Sequence, residues 1–318
     1  MRRSLNPIFL AGLGAGVAAA GIATARALRS SAPPDGAVVV VTGGSRGLGF
    51  AIASRFAQRP VRLVLAARDR AELNGAQNSL IAKHPHLHPD DFYLVCADLT
   101  DPTECRRLID ETVARFGRID LLVNNAGVIG VGPAEVQTLE DFREAMDTHF
   151  HATLHTTWHA LPHLRRQEPL TGWKRRAAIV NIASIGGKIP VPHLLPYTAS
   201  KFAVVGFSEA LHTELRRANI LVSTICPGLM RTGGENHANF LGKVDEERRW
   251  FMFGAKTPGI ATTPEHAANR IYSAVAHGCA EIVITPQAWL AARFHGLCPN
   301  STQFIAGMVN SCILPDAP

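Results

Sequence analysis

Short runs of apolar, mostly β-branched residues alternate with longer amphipathic stretches along most of this chain. Seven short runs have the character of buried strands, and six longer stretches have the periodicity of helices. The predicted strands are 37–42, 62–67, 92–97, 119–123, 177–182, 220–225 and 281–285; the predicted helices are 47–58, 70–83, 102–116, 138–166, 197–218 and 264–278. This alternation predicts a single α/β domain with a doubly wound, Rossmann-like parallel sheet of about seven strands.

The first 36 residues lie outside this pattern. Residues 4–25 carry no charge and sit between arginines, and their length fits a bilayer span. We therefore expect residues 1–36 to be a membrane anchor and linker, with the α/β domain on the cytoplasmic side. A cleaved signal peptide is an alternative, because small residues at 23–25 offer a cleavage site. A loosely docked tail on a soluble cytoplasmic protein is another, and removal of a signal would mean export.

Composition excludes some classes of function. The net charge is +6, but the Lys and Arg residues are scattered without interleaved aromatic residues, so we predict no nucleic-acid partner. The six cysteines form no C-x-x-C pair and suit a reducing compartment. Histidines recur every four residues from 151 to 163 and alternate from 84 to 88, yet no carboxylate or cysteine completes a compact set. We therefore predict no metal site.

A glycine-rich turn follows the first predicted strand and opens the first predicted helix. Residues 42–49, the glycine loop, read Thr-Gly-Gly-Ser-Arg-Gly-Leu-Gly. Glycines allow close approach of the backbone to a ligand, and a helix N-terminus favours an anion. The loop therefore predicts a site for the pyrophosphate of a dinucleotide.

A second constellation predicts proton transfer. Tyr197 and Lys201 are four residues apart, and Ser184 lies thirteen residues before Tyr197. Residues at this spacing share one face of a helix, so the Lys201 ammonium would approach the phenol oxygen. We expect it to lower the pKa of Tyr197 from about 10 toward neutrality, which suits a general acid or base.

Six motifs in order resemble the short-chain dehydrogenase/reductase family, of the T-G-x-x-x-G-x-G and Y-x-x-x-K type, over residues 37–285. They are the glycine loop, Asn124–Gly127, Ser184, Tyr197, Lys201 and Pro227-Gly228. The resemblance implies that Ser184 hydrogen-bonds the substrate oxygen and Tyr197 exchanges a proton with it. Lys201 would lower the pKa of Tyr197 and hold the nicotinamide ribose. The resemblance also implies that the protein is a homodimer or homotetramer.

The resemblance further implies the residues that bind cofactor. Asp98 and Leu99 would border the adenine, Asn125 would support the ribose and the central strand, and Thr232 would contact the carboxamide. A turn cap for Asp98, backbone bonding for Asn125 and an ordinary loop hydroxyl for Thr232 are the alternatives. The full expected set is Thr42, Gly43, Ser45, Arg46, Gly47, Leu48, Gly49, Arg68, Asp98, Leu99, Asn125, Ala126, Gly127, Tyr197, Lys201, Pro227, Gly228 and Thr232.

The charge at the end of the second strand predicts NADP (NADPH) over NAD. NAD enzymes usually place an acid there for the ribose 2′-hydroxyl, which would repel a 2′-phosphate. Here Arg68 occupies the end of the strand, and Arg46 lies in the glycine loop. Two guanidinium groups can grip a phosphate through charge-assisted hydrogen bonds. Asp69 would face away or cap the next helix.

One position departs from the family. His149 stands where the family has an Asn that helps to hold a water relaying protons toward the Lys. Because histidine also donates and accepts hydrogen bonds, we expect a modified relay and count His149 among the catalytic residues. A catalytically silent NADP-binding sensor or scaffold at the membrane is the alternative.

The chain beyond residue 228 suggests the substrate. Residues 229–262, the lid segment, contain Phe240, Trp250, Phe251 and Phe253 and are expected to cover the site. The tail, 286–318, holds the apolar stretch 289–297, which could lie on a membrane face. We therefore expect an NADPH-dependent oxidoreductase that interconverts a carbonyl and a secondary alcohol on a steroid-, retinoid- or lipid-like substrate.

Overall fold

The computed structural model describes residues 31–231, 238–256 and 261–317. All seven predicted strands form one parallel sheet, in the order β3-β2-β1-β4-β6-β7-β9. The strands in chain order are β1 Val38–Thr42, β2 Arg62–Ala67, β3 Phe92–Cys96, β4 Leu121–Asn124, β5 Gly130–Val131, β6 Ala177–Ile182, β7 Ile220–Cys226, β8 Asn239–Phe240 and β9 Glu281–Val283. The short strands β5 and β8 form a separate parallel pair. The predicted doubly wound α/β fold is confirmed.

Helices cover both faces of the sheet. They are α1 Gly47–Phe56, α2 Arg70–Lys83, α3 Pro102–Phe116, α4 Leu139–Ala145, α5 Ala152–Arg166, α6 Leu195–Leu215, α7 Val244–Lys256, α8 Pro264–His277, α9 Pro286–Leu297 and α10 Pro299–Cys312. The helix predicted at 138–166 is interrupted by a π-helical turn, Met146–His151, which separates α4 from α5. Such turns often mark functional positions, and this one contains His149.

The two faces of the sheet carry two apolar cores. Val39 and Val41 of β1 pack into the core formed with α1 and α8, whereas Val38 and Val40 pack into the core formed with α3 and α5. Successive side chains of a strand point to opposite faces, so a strand covered on both faces must be apolar throughout. This is why the strands could be read from the sequence as continuous apolar runs.

The N-terminus of α1 differs from those of its neighbours. In α2 and α3 an aspartate side chain, Asp69 or Asp101, accepts a backbone N–H of the first turn. At α1 the N-cap is Arg46, whose side chain makes no capping hydrogen bond, and the first turn holds no acid. The first amides of α1 are therefore left for an anion at the carboxyl edge of the sheet.

Two predicted segments gain structure that the sequence pattern did not indicate. The lid segment contains α7, and the predicted tail consists largely of α9 and α10. Residues 4–25, on which the anchor prediction depends, lie outside the described residues. Within the part of the chain that the structure describes, no helix is long and apolar enough to cross a membrane. The division into anchor, catalytic domain and tail stays a prediction.

Candidate active site

The glycine loop brings the start of α1 against the end of β1. Gly43 and Gly47 have φ values of 63° and 55°, in the left-handed region that favours glycine. A Cβ on Gly49 would lie 2.0 Å from the carbonyl oxygen of Gly43, so no larger residue fits without moving the backbone. This close-packed turn and the uncapped start of α1 make a cradle that fits a pyrophosphate.

Thr42 and Asn125 fasten this cradle to β4. The Thr42 hydroxyl accepts the backbone N–H groups of Asn125 at 2.9 Å and Ala126 at 3.1 Å. The Asn125 side-chain amide donates to the carbonyl oxygens of Thr42 at 3.0 Å and Gly43 at 3.2 Å. Both side chains thus satisfy backbone groups, which was the alternative considered for Asn125. A contact between Asn125 and a ribose stays a prediction.

One cavity of about 730 Å³ brings most of the expected site together. Its wall includes the expected residues Gly43, Ser45, Arg46, Gly47, Leu48, Arg68, Asp98, Leu99, Asn125, Ala126, Gly127, His149, Tyr197 and Lys201. The described residues of the expected set that are not part of this wall are Thr42, Gly49, Ser184, Pro227 and Gly228. Thr232 lies outside the described residues. The cavity therefore links the phosphate cradle to the proton-transfer residues.

The acids near the expected adenosine end have structural partners. Asp69 caps α2 by accepting the N–H of Glu72 at 2.9 Å, as one alternative proposed. Asp98 accepts both the N–H and the hydroxyl of Thr100, at 3.1 and 2.8 Å, and so closes a turn. Arg68 is exposed at the rim of the cavity. The adenine contact expected of Asp98 stays a prediction.

Glu72 is a residue of this site that the sequence reasoning missed. Its carboxylate accepts the Ser45 hydroxyl at 2.9 Å and the Arg46 guanidinium at 2.9 Å. Glu72 stands three residues after the N-cap Asp69, the spacing of a capping box. That spacing is typical of a residue that caps the N-terminus of its own helix, and it does not indicate that the side chain reaches the glycine loop.

A buried polar network positions the catalytic helix α6. The side-chain amide of Asn124 on β4 donates to Asn181 on β6 at 2.8 Å. Asn181 in turn donates to the hydroxyl of Ser208 on α6 at 2.8 Å. Thr156 of α5 donates to the Asn124 side-chain oxygen at 2.7 Å. Two strands and two helices are thereby fixed relative to one another, which holds α6 against the sheet.

Tyr197 lies in the first turn of α6, and Ser184 caps the 3₁₀ turn Ile185–Gly187 beside it. Burial raises the pKa of Tyr197, while a hydrogen bond with Ser184 acts in the opposite direction and is the smaller effect. The sequence-based expectation of a pKa near neutrality is therefore wrong for the protein alone. Desolvation disfavours the phenolate, and the burial of Tyr197 could not be read from its spacing to Lys201.

Lys201 is buried directly below this phenol. Its Nζ donates to the carbonyl oxygen of Ile182 at 2.9 Å and lies 5.7 Å from the centroid of the Tyr197 ring. Burial lowers the pKa of Lys201 to about 8. The amine therefore gains or loses its proton close to physiological pH, which a surface lysine does not.

His149 bridges the loop after β4 and the catalytic helix. Its Nδ1 lies 2.7 Å from the Ser200 hydroxyl oxygen, and its Nε2 lies 2.9 Å from the carbonyl oxygen and 3.1 Å from the backbone nitrogen of Val128. The Ser200 hydroxyl oxygen also lies 2.9 Å from the carbonyl oxygen of Tyr197, so the imidazole connects α6 on one side with the loop after β4 on the other. Burial, and secondly the charge of Lys201, hold the pKa of His149 well below its usual value, so the ring is neutral.

An apolar wall lies on the other side of Tyr197. It consists of the buried residues Val131, Leu194, Phe240 and Phe251, with Trp250 and the Tyr197 ring packed against it. Phe253, also expected to be part of the cover, is 75% exposed. The lid segment therefore contributes some of its aromatic residues to an apolar surface beside the phenol.

A buried, hydrogen-bonded pair of side chains, His193 and Glu247, holds α7 of the lid segment in place, and sequence reasoning missed it. Glu247 is fully buried and accepts from Nδ1 of His193 at 2.8 Å and from the indole N–H of Trp250 at 2.6 Å. His193 has a positive φ of 61° and directly precedes Leu194 of the apolar wall. Glu247 is the last of three consecutive acidic residues in an amphipathic helix. In sequence such a run resembles a solvent-exposed face, so the burial of Glu247 could not be predicted.

The histidine stripe begins in the π-helical turn and continues along α5, and its four side chains are half-buried. His151 pairs with Asp147 at 2.7 Å, and both side chains are partly exposed. Across residues 31–231, 238–256 and 261–317, no group of three or more His, Cys, Asp or Glu side chains is arranged to hold a metal ion.

Comparisons with known proteins agree with this geometry. Residues 37–239 match the family model described as short chain dehydrogenase. 11-beta-Hydroxysteroid dehydrogenase A of Sesamum indicum is 31% identical over 280 residues, covering 85% of this chain and 74% of that protein. A putative ketoacyl reductase of Streptomyces coelicolor is 32% identical over 262 residues, covering 81% of this chain and 96% of that protein.

Solved structures share the fold. A short-chain dehydrogenase from Streptomyces avermitilis aligns with a TM-score of 0.71 and 26% identity, covering 87% of this chain and 98% of that one. A short chain dehydrogenase/reductase from Burkholderia phymatum in complex with NAD gives a TM-score of 0.73 at 24% identity, covering 89% and 98%. The fold, the site and these relatives together show that this chain belongs to the short-chain dehydrogenase family, which comprises oxidoreductases that bind a nicotinamide cofactor.

Proposed function

We propose that this protein is an NADPH-dependent oxidoreductase that interconverts a carbonyl and a secondary alcohol on an apolar substrate, with Tyr197 as the general acid and base. One observation carries the proposal. The Tyr197 ring lies between the apolar wall and the cavity that contains the glycine loop, with Ser184 bonded to its phenol and Lys201 below it. This is where a bound carbonyl would meet both a proton donor and a cofactor.

The cofactor preference is supported by charge. Arg46 and Arg68 stand at the expected adenosine end of the cavity, and the nearest acid after β2, Asp69, is engaged in capping α2. Guanidinium groups bind phosphate through charge-assisted hydrogen bonds, which favours NADP over NAD. When bound, the nicotinamide supplies the hydride that reduces the carbonyl carbon, or accepts it in the reverse direction.

The protein residues handle the proton. Because its pKa is raised, Tyr197 is protonated at neutral pH and can donate to the substrate oxygen during reduction. Ser184 would hydrogen-bond the same oxygen and hold it at the phenol. A protonated Lys201 would stabilise the phenolate that follows proton donation. His149, neutral and bonded on both sides, would hold the loop after β4 and the first turn of α6 in register during these steps.

The apolar substrate is supported by the wall beside Tyr197 and by the relatives. Val131, Leu194, Phe240 and Phe251 would remove apolar surface of a ring system or an acyl chain from water. The names of the relatives, a hydroxysteroid dehydrogenase and a ketoacyl reductase, both denote the chemistry of a carbonyl or hydroxyl group on such a skeleton. A silent NADP-binding scaffold has less support. The hydrogen bonds of His149 still connect the loop after β4 to α6, although histidine replaces the usual asparagine.

Steady-state oxidation of NADPH and of NADH tests the proposal. The purified protein would be assayed with alicyclic and acyl ketones of increasing apolar area, with Ser184→Ala as the matched variant. We expect turnover with NADPH, kcat/KM that rises with apolar area, and a large loss in the variant. Cofactor binding without turnover of any ketone or alcohol would favour the silent scaffold. Membrane attachment and oligomeric state stay predictions.

A further inference from the structure

Arg46, the glycine loop residue expected to bind a 2′-phosphate, already binds an anion of the protein itself, together with the neighbouring Ser45. Each oxygen of the Glu72 carboxylate accepts from a different group: one from the Ser45 hydroxyl and the other from the Arg46 guanidinium, both at 2.9 Å. The three side chains line the cavity together with Arg68. Two oxygens held by a hydroxyl and a guanidinium reproduce the contacts that two oxygens of a phosphate monoester would make.

The Glu72 side chain has two sets of possible hydrogen-bonding partners, the N-terminus of its own helix and the glycine loop. As the third residue of α2, Glu72 is placed to reach back to the N–H of the N-cap residue and complete a capping box. Only half of that box is formed here: Asp69 accepts the N–H of Glu72, while the Glu72 side chain crosses to the glycine loop. The carboxylate is also partly exposed, at 38%, so its release into water is inexpensive.

We propose that Glu72 is a specificity-determining residue that occupies the 2′-phosphate position and competes with that phosphate for Ser45 and Arg46. Binding of NADP would require both groups to exchange the carboxylate for the phosphate. Binding of NAD would leave the carboxylate in place, where it can accept a hydrogen bond from the ribose 2′-hydroxyl. Glu72 therefore reduces the difference in affinity between NADP and NAD that Arg46 and Arg68 create. This inference rests on the proposed cofactor.

Binding of nucleotides to Glu72→Gln tests this inference without any turnover. Glutamine keeps the shape of the side chain and removes its charge. Calorimetry would compare NADP+, NAD+, adenosine 2′-monophosphate and adenosine 5′-monophosphate. We expect the Kd for NADP+ and for the 2′-monophosphate to fall about fivefold, the scale of one exposed ion pair. The Kd for NAD+ should stay constant or rise, and the Kd for the 5′-monophosphate should not change.

A matched variant controls for overall charge. Glu140→Gln removes an exposed acid that pairs with Arg143 on α4 at 2.8 Å, outside the cavity wall, and should leave every Kd unchanged. Weaker binding of NADP+ by Glu72→Gln would overturn the inference, because Glu72 would then orient Arg46 for the phosphate. Equal effects on NADP+ and NAD+ would overturn it as well.

Failure of the proposed cofactor would have a different signature. If the wild-type protein prefers NAD+, and Arg68→Gln leaves the Kd for NADP+ unchanged, the preference for NADP is wrong. The competition by Glu72 would still predict a gain of affinity for adenosine 2′-monophosphate in Glu72→Gln, and the absence of that gain would refute it. The two ideas can therefore fail separately.

Discussion

The cofactor side and the substrate side of Tyr197 are built in different ways. On the cofactor side, backbone geometry dominates: left-handed glycines, an uncapped helix start and amides bound by Thr42. On the substrate side, the lid helix α7 is attached by side chains, through the buried pair of His193 and Glu247 and the apolar wall. Backbone geometry of this kind suits a ligand that is common to a family, whereas side-chain packing can be changed for each substrate.

The side-chain pairs on the two sides differ in exposure, and this difference sets how easily each pair can be separated. Arg46 and Glu72 are 49% and 38% exposed, and exposed pairs contribute about 0–1 kcal/mol. His193 and Glu247 are 4% and 0% exposed, and removal of one partner from a buried pair costs about 3–5 kcal/mol. The cofactor side can therefore exchange partners for a ligand, while the substrate side holds one shape.

The largest expected effect is at the boundary of the two sides. Tyr197→Phe removes the proton donor and should lower kcat by about 10²–10⁴-fold, the usual contribution of a general acid. The Kd for NADPH should change by no more than about tenfold, since only one hydroxyl is removed from the expected cofactor contacts. Steady-state kinetics and a binding titration measure both quantities. Tyr93→Phe, which removes a phenol bonded to Glu111 outside the cavity, is the control and should stay active. Equal kcat in the two variants would exclude Tyr197 as the acid.

The buried pair gives the second largest effect. His193→Ala leaves the Glu247 carboxylate buried with the Trp250 indole as its remaining described partner, and should lower the free energy of unfolding by about 3–5 kcal/mol. We also expect a raised KM for apolar ketones and an unchanged Kd for NADPH. Urea unfolding and kinetics would measure these changes.

Two further variants sharpen this test of the substrate side. Glu246→Gln changes an exposed neighbour on the same helix and should have no effect. The double variant His193→Ala with Glu247→Leu removes the stranded charge and should recover part of the stability. If His193→Ala is as stable as the wild-type protein, the buried pair does not hold α7.

On the cofactor side, the decisive position is Gly49. Gly49→Ala would place a Cβ 2.0 Å from the Gly43 carbonyl oxygen, and overpacking of this kind costs about 1–3 kcal/mol. We expect weaker NADPH binding, by about tenfold to a hundredfold, as the backbone shifts. Gly75→Ala in α2 is the matched control, because no atom lies within 4 Å of its Cβ and alanine favours a helix interior. An intact Kd in Gly49→Ala would refute the cradle.

The smallest expected effect depends on pH and concerns His149. Its pKa in the folded protein lies well below that of the unfolded chain, so the unfolded state binds a proton first as pH falls. Stability from neutral His149 is complete above about pH 6.5 and is lost as pH falls from there toward the folded-state pKa. His149→Asn removes this dependence. Urea unfolding of both proteins at neutral and acidic pH should show a wild-type loss that the variant lacks; parallel curves would contradict it.

The sequence predicted the fold and the glycine turn after β1 because the signals of both are local. A strand buried on both faces is apolar in sequence, and a left-handed turn requires glycine at particular positions. Contacts between distant segments gave no such signal. Glu72 resembled a helix cap, Glu247 resembled a solvated charge, and the partners of His149 lie 21 and 51 residues away. The direction of the pKa shift of Tyr197 was wrong for the same reason, since burial depends on the assembled structure.

Transfer of isotope from cofactor to product tests the central claim most directly. NADPH deuterated at the transferable position of the nicotinamide would be incubated with the protein and an alicyclic ketone, and the product analysed by mass spectrometry. We predict an alcohol that carries one deuterium on the carbinol carbon, and no such product from Tyr197→Phe. Absence of labelled alcohol from a wild-type protein that binds NADPH, across the whole panel of ketones, would contradict the account.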